Sequence, residues 1–141
     1  MTLTRRQALA LGAGALTAAA LPGAALAATD KVQAAIDAFT GGAAVTEGGI
    51  DLGTPEIAEN GNTVPVEVSA EGAAAIMLLA AGNPSPGVGT FSFGKLAAGS
   101  GASTRIRLAS TQDVIAVAKM QDGSFNMVKR TVKVTIGGCG G

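Results

Sequence analysis

The chain of 141 residues has no histidine, no tryptophan, no tyrosine and a single cysteine. Without imidazole, neither a Ser-His-Asp nor a Cys-His constellation can be assembled, and a Cys/His zinc site is excluded as well. One cysteine cannot close an internal disulfide, so the fold must be held by its hydrophobic core or by a partner. The aromatic side chains are four phenylalanines, and 10 Lys+Arg balance 10 Asp+Glu. The chain therefore lacks both the stacking surface and the long-range positive field that nucleic-acid binding uses, and no nucleic acid is expected as a partner. Carboxylates are scattered. Glu59, Glu67 and Glu71 come nearest to a cluster, but they fall beside turns and on an edge strand, where solvated surface acids are the rule. No metal set and no cofactor motif is visible, so neither is expected, and an enzyme is the weakest reading.

At the N-terminus, Thr4-Arg5-Arg6-Gln7-Ala8-Leu9 forms a twin-arginine block, followed by an uncharged stretch over residues 8–21, Pro22, and Ala25-Leu26-Ala27. The last three fit the small-x-small rule for signal peptidase. A membrane anchor needs about 20 strongly apolar residues; this stretch is shorter and rich in Ala and Gly, so it reads as a cleaved leader over residues 1–27, and no membrane association is expected. The paired arginines point to Tat export into the periplasm. Ala8 stands where such leaders often carry a bulky apolar residue, so export is marked more sharply than its route. Cleavage after Ala27 leaves 114 residues, enough for one domain with a modest core, and 8 basic against 10 acidic side chains. Tat carries folded proteins, often with a cofactor or a partner aboard. With no cofactor ligands in view, a co-exported partner is expected.

Within the mature chain, Val32, Ala35, Ile36 and Phe39 have the spacing of one helix face over residues 30–40, with Thr29 or Asp30 placed to cap it and Gly41-Gly42 to end it. Strand signals follow. Val64, Val66 and Val68 alternate with polar residues, and Pro65, which lacks an amide donor, belongs on an edge or at a bulge. Asn60-Gly61 is a hairpin-turn dipeptide. Residues 75–81 form an apolar run bracketed by Gly72 and Gly82, a strand buried on both faces. Asn83-Pro84-Ser85-Pro86-Gly87 makes a rigid loop. Further strands are expected over 90–93, 103–110, 114–120 and 125–136, with Asp122-Gly123 turning the last pair. Short strands between Gly, Pro and Asn turns indicate a mainly β fold: an immunoglobulin-like antiparallel β-sandwich over residues 28–136 with one N-terminal helix. Both faces of 76–79 and 114–117 are apolar, to be covered either by another subunit or by a helix or loop of the same chain.

The chain stops with Gly137-Gly138-Cys139-Gly140-Gly141. A lone cysteine is usually a small buried hydrophobe, but four flanking glycines at a chain end supply neither side chains nor order to bury it. Residues 137–141 thus read as a flexible swinging tail, with Gly137, Gly138, Gly140 and Gly141 as tether and Cys139 as the point of covalent attachment. Three residue steps from Ile136 to Cys139 span about 10 Å when extended, and the missing Cβ atoms keep the segment thin enough for a narrow channel. No Lys or Arg lies in the tail to lower the thiol pKa, so activation has to come from a partner enzyme. The residues alone describe an exported thiol carrier with a partner.

The tail VKVTIGGCGG, the exported N-terminus, PEIAENGNTVPVEV, TRIRL, VIAVAKMQDG and the NPSP loop together resemble SoxY, the sulfur-carrier subunit of the periplasmic thiosulfate-oxidising Sox system, over nearly the whole mature chain. The resemblance implies that Cys139 holds the sulfur substrate while separate enzymes act on it in turn. A haem enzyme couples thiosulfate oxidatively to the cysteine, a hydrolase releases the terminal sulfone as sulfate, and a sulfur dehydrogenase, where there is one, oxidises the remaining sulfane. It also implies a tight heterodimer with SoxZ, a second β-sandwich protein without its own export signal. Two rivals make different demands. A ubiquitin-like carrier activated at Gly140-Gly141 needs ATP and a cytosolic activating enzyme, and gives Cys139 no role. An exported adaptor that cross-links through Cys139 predicts disulfide dimers and no sulfur cargo.

Overall fold

A computed structural model describes residues 23–136, with side chains from Thr29 onward. Most of the expected leader and the whole GGCGG segment lie outside these residues. The first element, α1 (Gly23–Thr40), starts earlier than the apolar spacing suggests. Residues 24–28 are four alanines and a leucine, strong helix formers, so the helix continues through them and Asp30 lies inside it instead of capping it. The side chains that pack, Val32, Ala35, Ile36 and Phe39, all lie after the expected cleavage point at Ala27. The helix stops where Gly41 and Gly42 take up φ of +66° and +82°, a left-handed backbone that glycine adopts without a Cβ penalty.

Nine strands follow in two layers. The larger sheet contains β1 (Val45–Glu47), β3 (Ile57–Ala58), β5 (Ala73–Ala80), β6 (Gly87–Ser92), β8 (Gln112–Met120) and β9 (Phe125–Val134). Its order is β1-β9-β8-β5-β6, and β3 lies along the same outer edge of β9 as β1, nearer the end of the strand. The smaller sheet is β2 (Asp51–Gly53), β4 (Val64–Ser69) and β7 (Gly101–Ile106), in the order β2-β4-β7. Most pairs are antiparallel as expected. The exceptions are β1 and β3, which run parallel to β9. Each reaches β9 by a crossover, β1 after α1 and β3 out of the smaller sheet, and a crossover permits the parallel direction that a tight hairpin forbids.

Alternation decides which side chains fill the space between the sheets. Val64, Val66 and Val68 point inward while Pro65, Glu67 and Ser69 face solvent. They meet Ile76, Leu78, Val114, Ala116, Val128 and Val132 from the larger sheet, with Ile106 and Leu108 closing the far side. Pro65 is on the part of β4 that β2 does not reach, since β2 pairs only with residues 67–69, so its missing amide strands no ladder bond on that side. On the outer face of the larger sheet, Met77, Leu79, Ile115 and Val117 pack under Ile36 of α1, with Phe39 and Phe125 meeting edge to face at 6.0 Å. A helix of the same chain therefore covers the second apolar face of β5 and β8. That face leaves no surplus calling for another subunit. Among the described residues no helix is long and apolar enough to cross a membrane.

Candidate functional site: the root of the C-terminal tail

The tail departs from the end of β9, and three segments distant in sequence hold the last residues before it. On one side, β8 and the loop before it contribute side chains. The Thr131 hydroxyl donates to Asp113 Oδ1 at 2.6 Å; the Val134 amide donates to Thr111 Oγ1 at 3.0 Å, and the same hydroxyl reaches back to Val134 O at 3.5 Å. On the other side, the Lys133 amide donates to Glu56 O at 2.9 Å and the Thr135 amide to Ala58 O at 3.1 Å. The Gly61 amide then donates to Ile136 O at 2.9 Å, while Gly61 O accepts from the Leu108 amide at 2.7 Å. Gly61 thus ties the root of the tail to both sheets. The backbone is paired up to Ile136, one residue before the first glycine of the tail.

Asn60-Gly61 was expected to close a hairpin, and it does not. β3 pairs with β9, whereas β4 pairs with β2 and β7, so the turn carries the chain from one sheet to the other. The turn chemistry itself holds: Asn60 Oδ1 accepts from the Asn62 amide at 3.0 Å. The partners that would make it a hairpin are absent because both backbone groups of Gly61 are spent on Ile136 and Leu108.

A second polar knot stiffens the same end. Asn83 and Gln112 are both buried. Gln112 donates to Asn83 Oδ1 and to Ser110 O, and accepts from the Gly82 amide. Asn83 donates to Arg107 O at 2.7 Å and accepts from the Ala109 amide at 3.0 Å. Such a network ties the loop after β5 to the loop before β8, because each member would otherwise strand a buried donor or acceptor. A Cβ at Gly82 would stand 2.9 Å from Gln112 Cβ, so glycine is required for this close approach. The NPSP loop was legible as rigid, but its hydrogen-bond partners were not.

Cys139, Gly137, Gly138, Gly140 and Gly141 lie outside the described residues. The three carboxylates considered from the sequence are not brought together. Glu59 and Glu71 sit in the turns at opposite ends of β4, Glu67 faces solvent on that strand, and all three are exposed. Among the described residues no three acids or other ligands gather to hold a metal. Beside the tail root, between the segment carrying β3 and the first half of β4, runs a shallow groove of about 410 Å³ lined by Pro55, Ile57, Thr63 and Pro65 among others.

With this geometry in place, comparison with known proteins separates the family from its fold relatives. A family model described as sulfur oxidation protein SoxY matches residues 36–139. The chain belongs to the SoxY family. A solved SoxY, the sulfur carrier protein from Chlorobium limicola f thiosulfatophilum, is 33% identical, with a TM-score of 0.68 over 76% of this chain and 94% of that one. A superoxide reductase (neelaredoxin) from Ignicoccus hospitalis aligns with a TM-score of 0.54 at 16% identity, over 62% of this chain and 80% of its own. A putative superoxide reductase from Thermotoga maritima aligns at 0.50 and 14%. Those two show a shared β fold alone. No curated protein matches the chain. The SoxY match runs through the tail as far as Cys139, beyond the last described residue.

Proposed function

We propose that this SoxY protein is a covalent carrier of thiosulfate oxidation, with Cys139 holding the sulfur substrate and Gly137-Gly138 delivering it to successive enzymes. The observation that carries this reading is the family match extending to Cys139, on a chain whose backbone is paired up to Ile136. A fixed root followed by two glycines confines the moving part to the segment that must enter an active site. The motion then costs the sandwich nothing.

The chemistry divides between chain and partners. The chain supplies a thiol with a reach of about 10 Å from Ile136. A haem enzyme removes two electrons as the Cys139 sulfur and the sulfane sulfur of thiosulfate join, and the cysteine proton goes to solvent. A hydrolase then adds water across the sulfur-sulfone bond, releasing sulfate and leaving a persulfide on Cys139. A sulfur dehydrogenase, in organisms that have one, oxidises that persulfide. These enzymes belong to the Sox system that SoxY membership implies, and a SoxZ-like subunit is the partner expected in a heterodimer. Family membership and the twin-arginine block support a periplasmic site, where none of the reactions needs ATP.

Intact-mass spectrometry of the mature protein, purified without reductant after thiosulfate turnover, tests the reading. Thiosulfate-derived or sulfane adducts that vanish in Cys139→Ser are expected. Disulfide-linked dimers without cargo would favour the cross-linking adaptor instead.

A further inference from the structure

Four large apolar side chains are conspicuously exposed among the described residues: Ile57, Val88, Leu96 and Ile136. Two of them flank the root of the tail. Ile57 registers against Lys133 on the edge of β9, and Ile136 stands three residues further along, about 10 Å away at the strand rise. Ile57 is 56% exposed and Ile136 67%, although Ala58 beside Ile57 is buried in the core. Leu96 is in the loop between β6 and β7, at the other end of the sandwich. Val88 is on β6, three strand spacings from β9, or about 14 Å.

Pro55 and Pro65 are among the residues that line the groove next to Ile57. Prolines have no amide donor, so covering them strands no N–H, and their fixed backbone loses little freedom when a partner settles on it. Glu59, Asn60 and Thr63 along the same groove give a polar margin. A small apolar centre with a polar rim is the anatomy of a protein interface. Its modest extent suits a contact made and released at every turnover.

Resting on the carrier reading above, we infer that Ile57, Pro55 and Pro65 form the docking ledge for the enzyme whose active site receives Cys139. The length of the tail selects this occupant. Cys139 reaches about 10 Å from Ile136, so an enzyme that takes the thiol into an interior site must bring its surface to within that distance of the root. Of the exposed large apolar side chains other than Ile136 itself, Ile57 is the nearest to the root: three residue rises along β9 and one strand spacing across put it about 11 Å from Ile136, close to the full reach of the arm. The partner is an enzyme with an apolar collar around a narrow channel, and enzymes acting in sequence on the same cysteine compete for the ledge.

The test measures steady-state loading of Cys139 by the thiosulfate-coupling haem enzyme, using the full mature chain with the subunit that co-purifies with it. Ile57→Glu is expected to raise the KM for the carrier about tenfold with kcat unchanged, the loss of one apolar anchor. Ile57→Thr, which keeps the β-branched shape for the strand, should raise it about threefold by the same scale. Leu96→Glu should change nothing, and a small thiol reagent should modify Cys139 at the same rate in all three. An unchanged KM in both Ile57 variants, with loading still abolished by Cys139→Ser, overturns the ledge and leaves the carrier reading intact. Loading that persists in Cys139→Ser overturns the carrier reading and the ledge with it. Loss of the co-purifying subunit on Ile57→Glu would assign the patch to a subunit interface and also overturn the proposal.

Discussion

The two ends of the sandwich are held by different mixes of contact. At the far end, turns that close on themselves stand beside long-range bonds made mostly by the backbone, such as the Gln121 amide to Gly72 O and the Ala70 amide to Ser100 O. Asp122 accepts from both the amide and the hydroxyl of Ser124, the Gly123 amide donates to Met120 O, and the Ala73 amide to Ala70 O. The loop between β6 and β7 there leaves Leu96 fully exposed. At the tail end, the bonds join residues 20 to 80 positions apart: Gly61 to Ile136, Ala58 to Thr135, Thr111 to Val134, Asn83 to Gln112. Local turns can open one at a time. At the tail end the long-range bonds share the buried Asn83 and Gln112, Gly61 and the end of β9, so they open together, and this is the end from which the proposed carrier arm starts. A fixed root serves the proposed carrier: a root that frayed would lengthen the arm and blur where it points.

The largest effect should come from altering the glycines beyond that boundary. Deleting Gly137 and Gly138 removes about 7 Å of reach, and Gly138→Val stiffens and widens the arm. In both variants enzymatic loading should fall at least tenfold, while reaction with a small thiol reagent hardly changes. A parallel fall in both rates would mean that the glycines tune the thiol and not its delivery. On the fixed side, Asn83→Ala leaves Arg107 O, the Ala109 amide and one Gln112 donor without their partner, and should cost about 3 kcal/mol in urea unfolding. Leu96→Ser at the far end should stay within about 0.5 kcal/mol. A comparable loss at both ends would erase the contrast.

Smaller but more telling is Thr111→Val, which removes the acceptor for the Val134 amide at about 1 kcal/mol. Amide exchange should accelerate at Val134, Thr135 and Ile136 and remain unchanged at Met120 and Ser124. The smallest effect belongs to Asp122. Hydrogen bonds from the Ser124 side chain and backbone hold its carboxyl below the usual carboxylate range. A depressed folded pKa contributes stability above the unfolded value and loses it as pH falls through the folded one. The turn at Asp122-Gly123 should therefore weaken under acid, below about pH 4, and Asp122→Ala should remove that dependence by losing this small contribution at neutral pH while matching the wild type under acid.

This contrast also explains what could be read from the sequence. The β8–β9 turn, the inward valines of β4, the doubly buried β5 and the amphipathic face of α1 were legible, because each is encoded by neighbours: a turn dipeptide, a period of two, a run bracketed by glycines, a period near four. The short strands β1, β2 and β3 were not, since two or three residues carry no period. Asn60-Gly61 was seen and assigned to the wrong pairing, because a turn signal states that the chain reverses and not which strand it will meet. Thr111 and Gln112 gave no signal at all, because the groups that define their role, on Val134 and Asn83, lie more than 20 residues away. The second apolar face of β5 left two covers open, and only the docking of α1 on Met77, Leu79, Ile115 and Val117 distinguishes them. The candidate site differs, since the attachment point proposed at Cys139 is read from the sequence alone and lies outside the described residues. That proposal rests on five consecutive residues, whereas the bonds that hold the root of the tail come from residues distant in sequence, among them Glu56, Ala58, Gly61, Thr111 and Asp113.

The central claim is that one thiol at the end of this arm carries the sulfur, and intact mass measures it most directly. After thiosulfate turnover with the coupling enzyme, the mature chain should gain the mass of a bound thiosulfate or sulfane group, and Cys139→Ser should remain unmodified while still folding and holding its partner subunit. An unmodified wild-type chain during continuing turnover, or an adduct that survives in Cys139→Ser, would contradict it.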